Sequence, residues 1–452
     1  MDETRELFHL TADLAADFYE TLPDRRVLPD TTPDELRERL GGPLPKEPRD
    51  ARLVVGELAD AAGPGLVAEP GGRYFGFVIG GAVPASLAAD WLTSTWDQNA
   101  ALYVAGPAAA VVEEVAGAWL LELLGLPAHA SFGFVTSGQT ANFTALAAAR
   151  HHVLAHAGWD VERQGLNGAP PIRVVVGAQR HGTIDRALRM LGLGAPTDVV
   201  RADDQGRLRA DELRLTDEPT ILCAQAGEVN TGAFDDLHAL ADARDAAANA
   251  WLHVDGAFGL WAAVSPRLVH LVAGADRADS WATDAHKWLN VPYDSGVAFT
   301  AHPETHRATF AARAAYLTAS THTRDNVDWV PEHSRRARGF PVYAAIRSLG
   351  RDGIRDIVER CCDHAQAFAV GIRELGAEVL NDVVLNQVLF RFATDDETNT
   401  ILASVQQSGE AFMSGTTWDG RAAIRFSVSN WQTTDDDVRR TLAAYAGQLA
   451  AR

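Results

Sequence analysis

The sequence predicts an α/β protein: a mostly parallel sheet covered by helices, with a helical arm before it and a smaller α/β domain after it. Three observations carry this reading. Between about residues 130 and 300, short β-branched runs alternate with amphipathic helical stretches. Those runs are apolar on both faces, as strands buried between two helix layers must be. From about residue 340 the order becomes long helix, strand, helix, strand, terminal helix, which reads as a second, smaller unit.

Taken in order, residues 1–70 are polar and helical in pattern, and Pro-rich between Pro23 and Pro48, as expected of an arm or small subdomain lying on something else. The large domain is expected over 71–340. Its strands are IRVVVG (172–177), TDVVRA (197–202), TILCAQA (220–226), WLHVDG (251–256), SWATDA (280–285) and SGVAFT (295–300). Between them, HGTIDRALRMLGL and FDDLHALADARDAAANA read as covering helices. The small domain, 341–452, holds the long helix GIRDIVERCCDHAQAFAVGIRELG and the strands NQVLFRF and AAIRFSVSN. There is no internal repeat or low-complexity block.

The totals narrow the function. A chain of 452 residues suits two or three domains. Hydrophobic residues at 47% and charged residues at 22% are an ordinary soluble balance. The formal charge of −20 argues against nucleic acid or anionic membrane as a partner. Cys223, Cys361 and Cys362 form neither a disulfide framework nor a metal-ligand pattern, so no metal is expected and a reducing cytoplasm fits. The acidic N-terminus lacks a signal-peptide pattern. The apolar stretches are short or interrupted, so no membrane span is expected.

Ligands of parallel sheets bind beyond the carboxyl ends of the strands, so the residues that close strands are the candidates. In VTSGQTANFTALAAAR (135–150), Thr136, Ser137, Gly138 and Gln139 lead into an Ala-rich helix. Small residues opening a helix leave N–H groups aimed at one spot, an anion cradle. An ordinary N-cap by Ser137 or Thr140 is the alternative. In HVDGAFG (253–259), Asp255 closes an apolar strand, where a carboxylate is costly unless paired; it could also cap the turn after the strand. In SWATDAHKWLNVPYD (280–294), Lys287 comes after a run that reads as a buried strand. It is either a salt-bridged surface lysine or a desolvated amine that attacks carbonyls. An anion cradle, a strand-end acid and a strand-end lysine are together what pyridoxal phosphate needs, with its phosphate, basic ring nitrogen and aldehyde.

On HVDGAFG, the spacing from Asp255 to Lys287, and HKWLNVPYD, the chain resembles the pyridoxal-phosphate-dependent group II amino-acid decarboxylases, from about residue 70 to the C-terminus and more weakly through the arm. The resemblance implies fold type I, with a seven-stranded-type sheet, and decarboxylation of an L-amino acid, aromatic by default. A homodimer with sites at the subunit interface is implied too. An aldehyde synthase or aminotransferase on the same scaffold is the alternative.

By the resemblance, Lys287 would hold the cofactor covalently and Asp255 would pair with its ring nitrogen. Ser137, Gly138 and Gln139 would hold the phosphate, with Asp284 and His286 beside them. His181 would stack on the ring and Ala257 would pack on its other face. Tyr316 would return a proton to the α-carbon, from a loop (317–329) polar enough to be a lid; otherwise it anchors that loop. Relatives without this tyrosine divert to aldehyde. Gly80, Asn99 and Ala101 fall at substrate-side positions where aromatic-specific relatives carry other residues, Asn99 and Ala101 on a stretch reaching the partner's site. Arg425 is read as structural, with a carboxylate clamp as the alternative.

Overall fold

The computed structural model describes residues 2–311 and 323–451. Among the described residues there are twelve strands: β1 (Tyr74–Phe75), β2 (Ser131–Val135), β3 (Arg173–Gly177), β4 (Asp198–Val200), β5 (Thr220–Gln225), β6 (Ala250–Asp255), β7 (Ser280–Asp284), β8 (Gly296–Thr300), β9 (Glu378–Val379), β10 (Gln387–Arg391), β11 (Phe412–Trp418) and β12 (Arg421–Ser427).

Seven of them form one sheet in the order β2-β8-β7-β6-β5-β3-β4. The run β7-β6-β5-β3-β4 is parallel, and β8 alone lies antiparallel, to both β2 and β7. The sheet is thus mostly parallel, as expected, and β2, which the sequence reading did not include, forms its edge. β5 to β8 are almost wholly buried, which explains runs apolar on both faces. Helix Gly138–His156 crosses β6, β7 and β8. Its Ala141, Ala145 and Ala148 are fully buried, and only such small side chains let its axis lie this close.

The second sheet has the order β1-β11-β12-β10-β9. β1 pairs parallel with β11 through Tyr74 and Phe75 opposite Phe412 and Met413, so this sheet draws its edge from the segment that precedes the large sheet. The kinked helix Gly339–Glu374 packs against β10 as well as against the helices Pro84–Trp96 and Pro107–Leu123, joining the two halves.

Three helices make up the arm: Asp2–Thr21, Pro33–Leu40, which opens with a Thr32–Glu35 capping box, and Ala51–Ala62. None of their residues is buried, and Phe8, Leu53 and Leu58 face outward. Among the described residues no helix is long and apolar enough to cross a membrane.

Candidate active site

Because β3, β5, β6 and β7 are parallel, their carboxyl ends share one edge. The residues closing them or lying just beyond are His181, Gln225, Asp255 and Asp284. Together with Gly138, Gln139, Asn142, Thr183, Ala257, Phe258, Lys287 and Phe77 they line one cleft.

Helix Gly138–His156 starts there with Ser137 at the N-cap position, but the Ser137 side chain makes no capping bond. The Thr136 and Thr140 hydroxyls bond each other instead (2.7 Å). The Gly138 N–H donates to Asp284 Oδ1 (2.5 Å). A side chain at Gly138 would meet Asp284 Oδ2 at 2.7 Å, so glycine is required for this approach. Gln139 lines the cleft, and its Nε2 is buried without a hydrogen-bond partner. A helix start with an orphaned donor beside it fits an anionic group such as a phosphate.

Asp284 also takes the Lys287 ammonium (Nζ–Oδ2, 3.1 Å) and approaches His286 Nε2 (3.4 Å). Lys287 is not fully buried as its neighbours suggested: its side chain keeps 19% exposure at the cleft edge, with Nζ 6.0 Å from the Phe258 ring. His286 turns away from the cleft, its ring 4.4 Å from that of Tyr293, where it lines a second, apolar cavity of ≈ 390 Å³. Burial pushes its pKa down, against the pull of Asp284.

Asp255 is buried and accepts from the Ala257 N–H (3.2 Å) and from Asn142 Nδ2 (3.0 Å). His181 caps helix Gly182–Met190, its Nδ1 meeting the Thr183 N–H (3.3 Å) and hydroxyl (2.9 Å). His181 is exposed and lines the cleft. Desolvation pushes its pKa down, with Asp255 opposing and Lys287 reinforcing the shift.

The remaining sequence candidates lie elsewhere. Gly80 borders the second cavity rather than the cleft, because its Cα rests on the Lys287 peptide: a Cβ there would be 1.8 Å from the Lys287 carbonyl oxygen. Its identity follows from that contact and not from pocket width. Asn99 and Ala101 are remote from the cleft within the subunit. Asn99 Oδ1 accepts from the Ala101 N–H (3.0 Å), its backbone bridges Arg336, and the Ala101 carbonyl accepts from Val327 N (2.9 Å). That last bond and the buried Asn326 pin the end of the expected lid, residues 323–329. Tyr316 lies outside the described residues. Arg425 sits behind the cleft wall, donating to the Val229 carbonyl (2.9 Å).

The reading of the sequence missed Asn142, Thr183, Phe258 and Phe77. Asn142 carried a signal: an amide one turn after Gly138 on the buried, Ala-rich side of the helix. Phe77 did not, since its mark is conformational. Phe77 and Val78 both hold positive φ (55° and 56°), which costs on the order of 1–3 kcal/mol per non-glycine residue.

The family model of the pyridoxal-dependent decarboxylase conserved domain matches residues 33–393. The aromatic-L-amino-acid decarboxylase of Bacillus atrophaeus is 27% identical over 97% of this chain and 93% of its own length. The L-2,4-diaminobutyrate decarboxylase of Rhizobium meliloti is 32% identical over 80% of this chain and 74% of its own length. A phenylacetaldehyde synthase of a Rosa hybrid cultivar is 24% identical over 98% and 95%. In fold, Oryza sativa TDC, solved with PLP and tryptamine, superposes with a TM-score of 0.91 at 23% identity, covering 100% of this chain and 98% of that one.

Proposed function

The chain belongs to the pyridoxal-dependent decarboxylase family and is a pyridoxal-phosphate-dependent carboxy-lyase, and we propose that it converts an L-amino acid to the corresponding amine and carbon dioxide through the cleft at the ends of β3, β5, β6 and β7. The observation that carries the reading is the meeting, in that one cleft, of Lys287, Asp255 and the start of helix Gly138–His156.

Bound there, pyridoxal phosphate supplies a ring that accepts the electron pair left when carbon dioxide departs. Lys287 would hold it through the ε-amine. Ser137 and Gln139 would bind its phosphate by backbone and side-chain donors, with Gly138 giving the close approach and Asp284 and His286 buttressing the helix start from behind. Asp255 would hold a proton on the ring nitrogen by a charge-assisted hydrogen bond. His181 would cover one ring face beside the substrate carboxylate, and Ala257 would sit on the other. Tyr316 would return the proton to the α-carbon, which keeps the product an amine.

Among the described lining residues, Phe77 and Phe258 offer apolar surface and no arginine faces the cleft. This supports an aromatic side chain over an acidic one. The diaminobutyrate decarboxylase likeness favours a second substrate reading, a short diamino acid, with Asp or Gln side chains at the cleft as partners for its extra ammonium. We further propose a homodimer. The apolar residues Phe8, Leu53, Leu58, Trp91 and Trp96, all outward-facing, support it, and Asn99 and Ala101 would then serve the partner's site.

The test is incubation of the cofactor-loaded protein with each common L-amino acid and with L-2,4-diaminobutyrate, with products identified by mass and carbon dioxide quantified. Equal amounts of one amine and carbon dioxide are expected, and Lys287→Ala should abolish both. Turnover unchanged in Lys287→Ala would refute the assignment.

A further inference from the structure

Behind the cleft a chain of hydrogen bonds ends at Asp255, and none of the roles assigned to the cleft uses it. Trp251 Nε1 donates to Ser280 Oγ (2.8 Å). Ser280 Oγ meets His253 Nδ1 (2.9 Å), and His253 Nε2 meets Asn142 Oδ1 (2.9 Å). Asn142 Nδ2 then donates to Asp255 Oδ2 (3.0 Å). The secondary structure builds this line. Trp251, His253 and Asp255 alternate along β6 and so share one face. Ser280 stands on the neighbouring β7, opposite His253, and Asn142 comes down from the helix lying over that face. All of these side chains except the outer edge of Asp255 are shut off from water.

The Asp255 end dictates the direction. An indole N–H can only donate, and an ionised carboxylate can only accept. Asp255 Oδ1 is held as an acceptor by the Ala257 N–H as well. The Asn142 amide group must therefore face Asp255, and its oxygen must face His253. His253 then carries its proton on Nε2 and receives the Ser280 hydroxyl proton on Nδ1. Only a neutral imidazole has one donor and one acceptor nitrogen, and burial keeps this ring neutral by pushing its pKa down to about 4, with Asp255 pulling weakly the other way.

We infer that Asn142, His253 and Ser280 are positioning residues, a one-way hydrogen-bond relay that presents Asp255 to the cofactor's ring nitrogen as an oriented, ionised acceptor. For the identity of what Asp255 meets, the inference rests on the pyridoxal phosphate reading; the relay belongs to the protein alone. Protonating Asp255 on Oδ2 would require the whole line to turn round. Asn142 would present its oxygen to the acid, and His253 would have to carry its proton on Nδ1. The relay thus fixes the direction in which Asp255 is hydrogen-bonded, and the His253 tautomer reports that direction.

The experiment is nitrogen NMR of the pyridoxal-phosphate-loaded protein with labelled histidine, the His253 signals assigned through His253→Gln, alongside cofactor affinity measured by fluorescence. The Nε2–H tautomer is expected in the wild type from about pH 5.5 to 8. Ser280→Ala removes the donor to Nδ1 but leaves Asn142 Oδ1 on Nε2. The Nε2–H form should therefore persist while the cofactor Kd rises up to roughly tenfold, the worth of one buried hydrogen bond. Ser280→Thr, which keeps the hydroxyl, should restore the affinity. An Nδ1–H tautomer in the loaded wild type would overturn the relay. So would Ser280→Ala with an unchanged affinity. Asp255→Asn separates the two readings: cofactor affinity untouched by it would sink the cleft assignment, while the tautomer measurement would still decide the relay.

Discussion

Replacing Gly80 by alanine tests the closest backbone approach near Lys287. The new Cβ would lie 1.8 Å from the Lys287 carbonyl oxygen and 2.9 Å from its carbon. Ordinary contact begins near 3.4 Å, so the two backbones must part by about 1.6 Å. Neither is free to move. The Gly81 N–H is bonded to Asn290 Oδ1 (2.9 Å), Asn290 N donates to Lys287 O (3.3 Å), and Trp288 and Leu289 are fully buried. Overpacking a core costs roughly 1–3 kcal/mol, and an overlap with backbone takes the upper end of that range. If the chain yields on the Lys287 side, a shift of about 1 Å at the amine lowers turnover on the order of 100-fold. Denaturant midpoints and carbon dioxide release would be measured against Gly447→Ala. That control sits in helix Asp435–Ala450 with nothing within 4 Å of its Cβ, and should gain stability. A Gly80→Ala protein with wild-type midpoint and turnover would refute the packing argument.

Acid should destabilise the protein well before its carboxylates titrate. His152 and His253 are pushed down to about 4 and His306 to about 3, in each case first by burial. Their folded pKa values lie below the unfolded one, so their contribution is intact above pH 6.5 and is lost as pH falls toward 4. For His253 this is about 3 kcal/mol at one pKa unit per 1.36 kcal/mol. Asp235, raised to about 6 by burial, works in the opposite direction. The histidine share is therefore isolated by comparing denaturant midpoints of wild type and His306→Phe across that range, where identical slopes would contradict the account. Tyr316→Phe should shift product from amine toward aldehyde and ammonia, read by mass spectrometry; an unchanged amine yield would remove Tyr316 as the proton donor.

What could be read from the sequence was whatever local pattern encodes. β3 and β5 to β8 are runs of apolar, β-branched residues, and strand ends are fixed once strands are, so the cleft's edge at Asp255 and Lys287 was legible. β2 was not, since Gly133 interrupts it where a side chain would strike the Trp329 carbonyl at 2.6 Å. β11 (FMSGTTW) is half polar, and β1 is two residues long. The antiparallel direction of β8 is a property of long-range pairing. Gly80 read as a substrate-side position because the carbonyl that requires it belongs to a residue over two hundred positions later. Asn99 and Ala101 face the 325–336 segment for the same kind of reason.

Two aspartates close neighbouring strands, and their surroundings separate their tasks. Asp284 is matched within the protein: the Gly138 N–H, the Lys287 ammonium and His286 all converge on it. Asp255 is equally buried but makes no ion pair among the described residues, and its donors are a backbone N–H and an amide. A buried carboxylate without a cation is expensive, and two neutral hydrogen bonds offset only part of that cost. A protonated ring nitrogen in the cleft would compensate Asp255, whereas at Asp284 it would have to displace Lys287. The imbalance supports Asp255 as the ring partner independently of any family likeness. It also explains why the relay behind Asp255 matters: neutral donors in a fixed direction hold the charge in place without cancelling it.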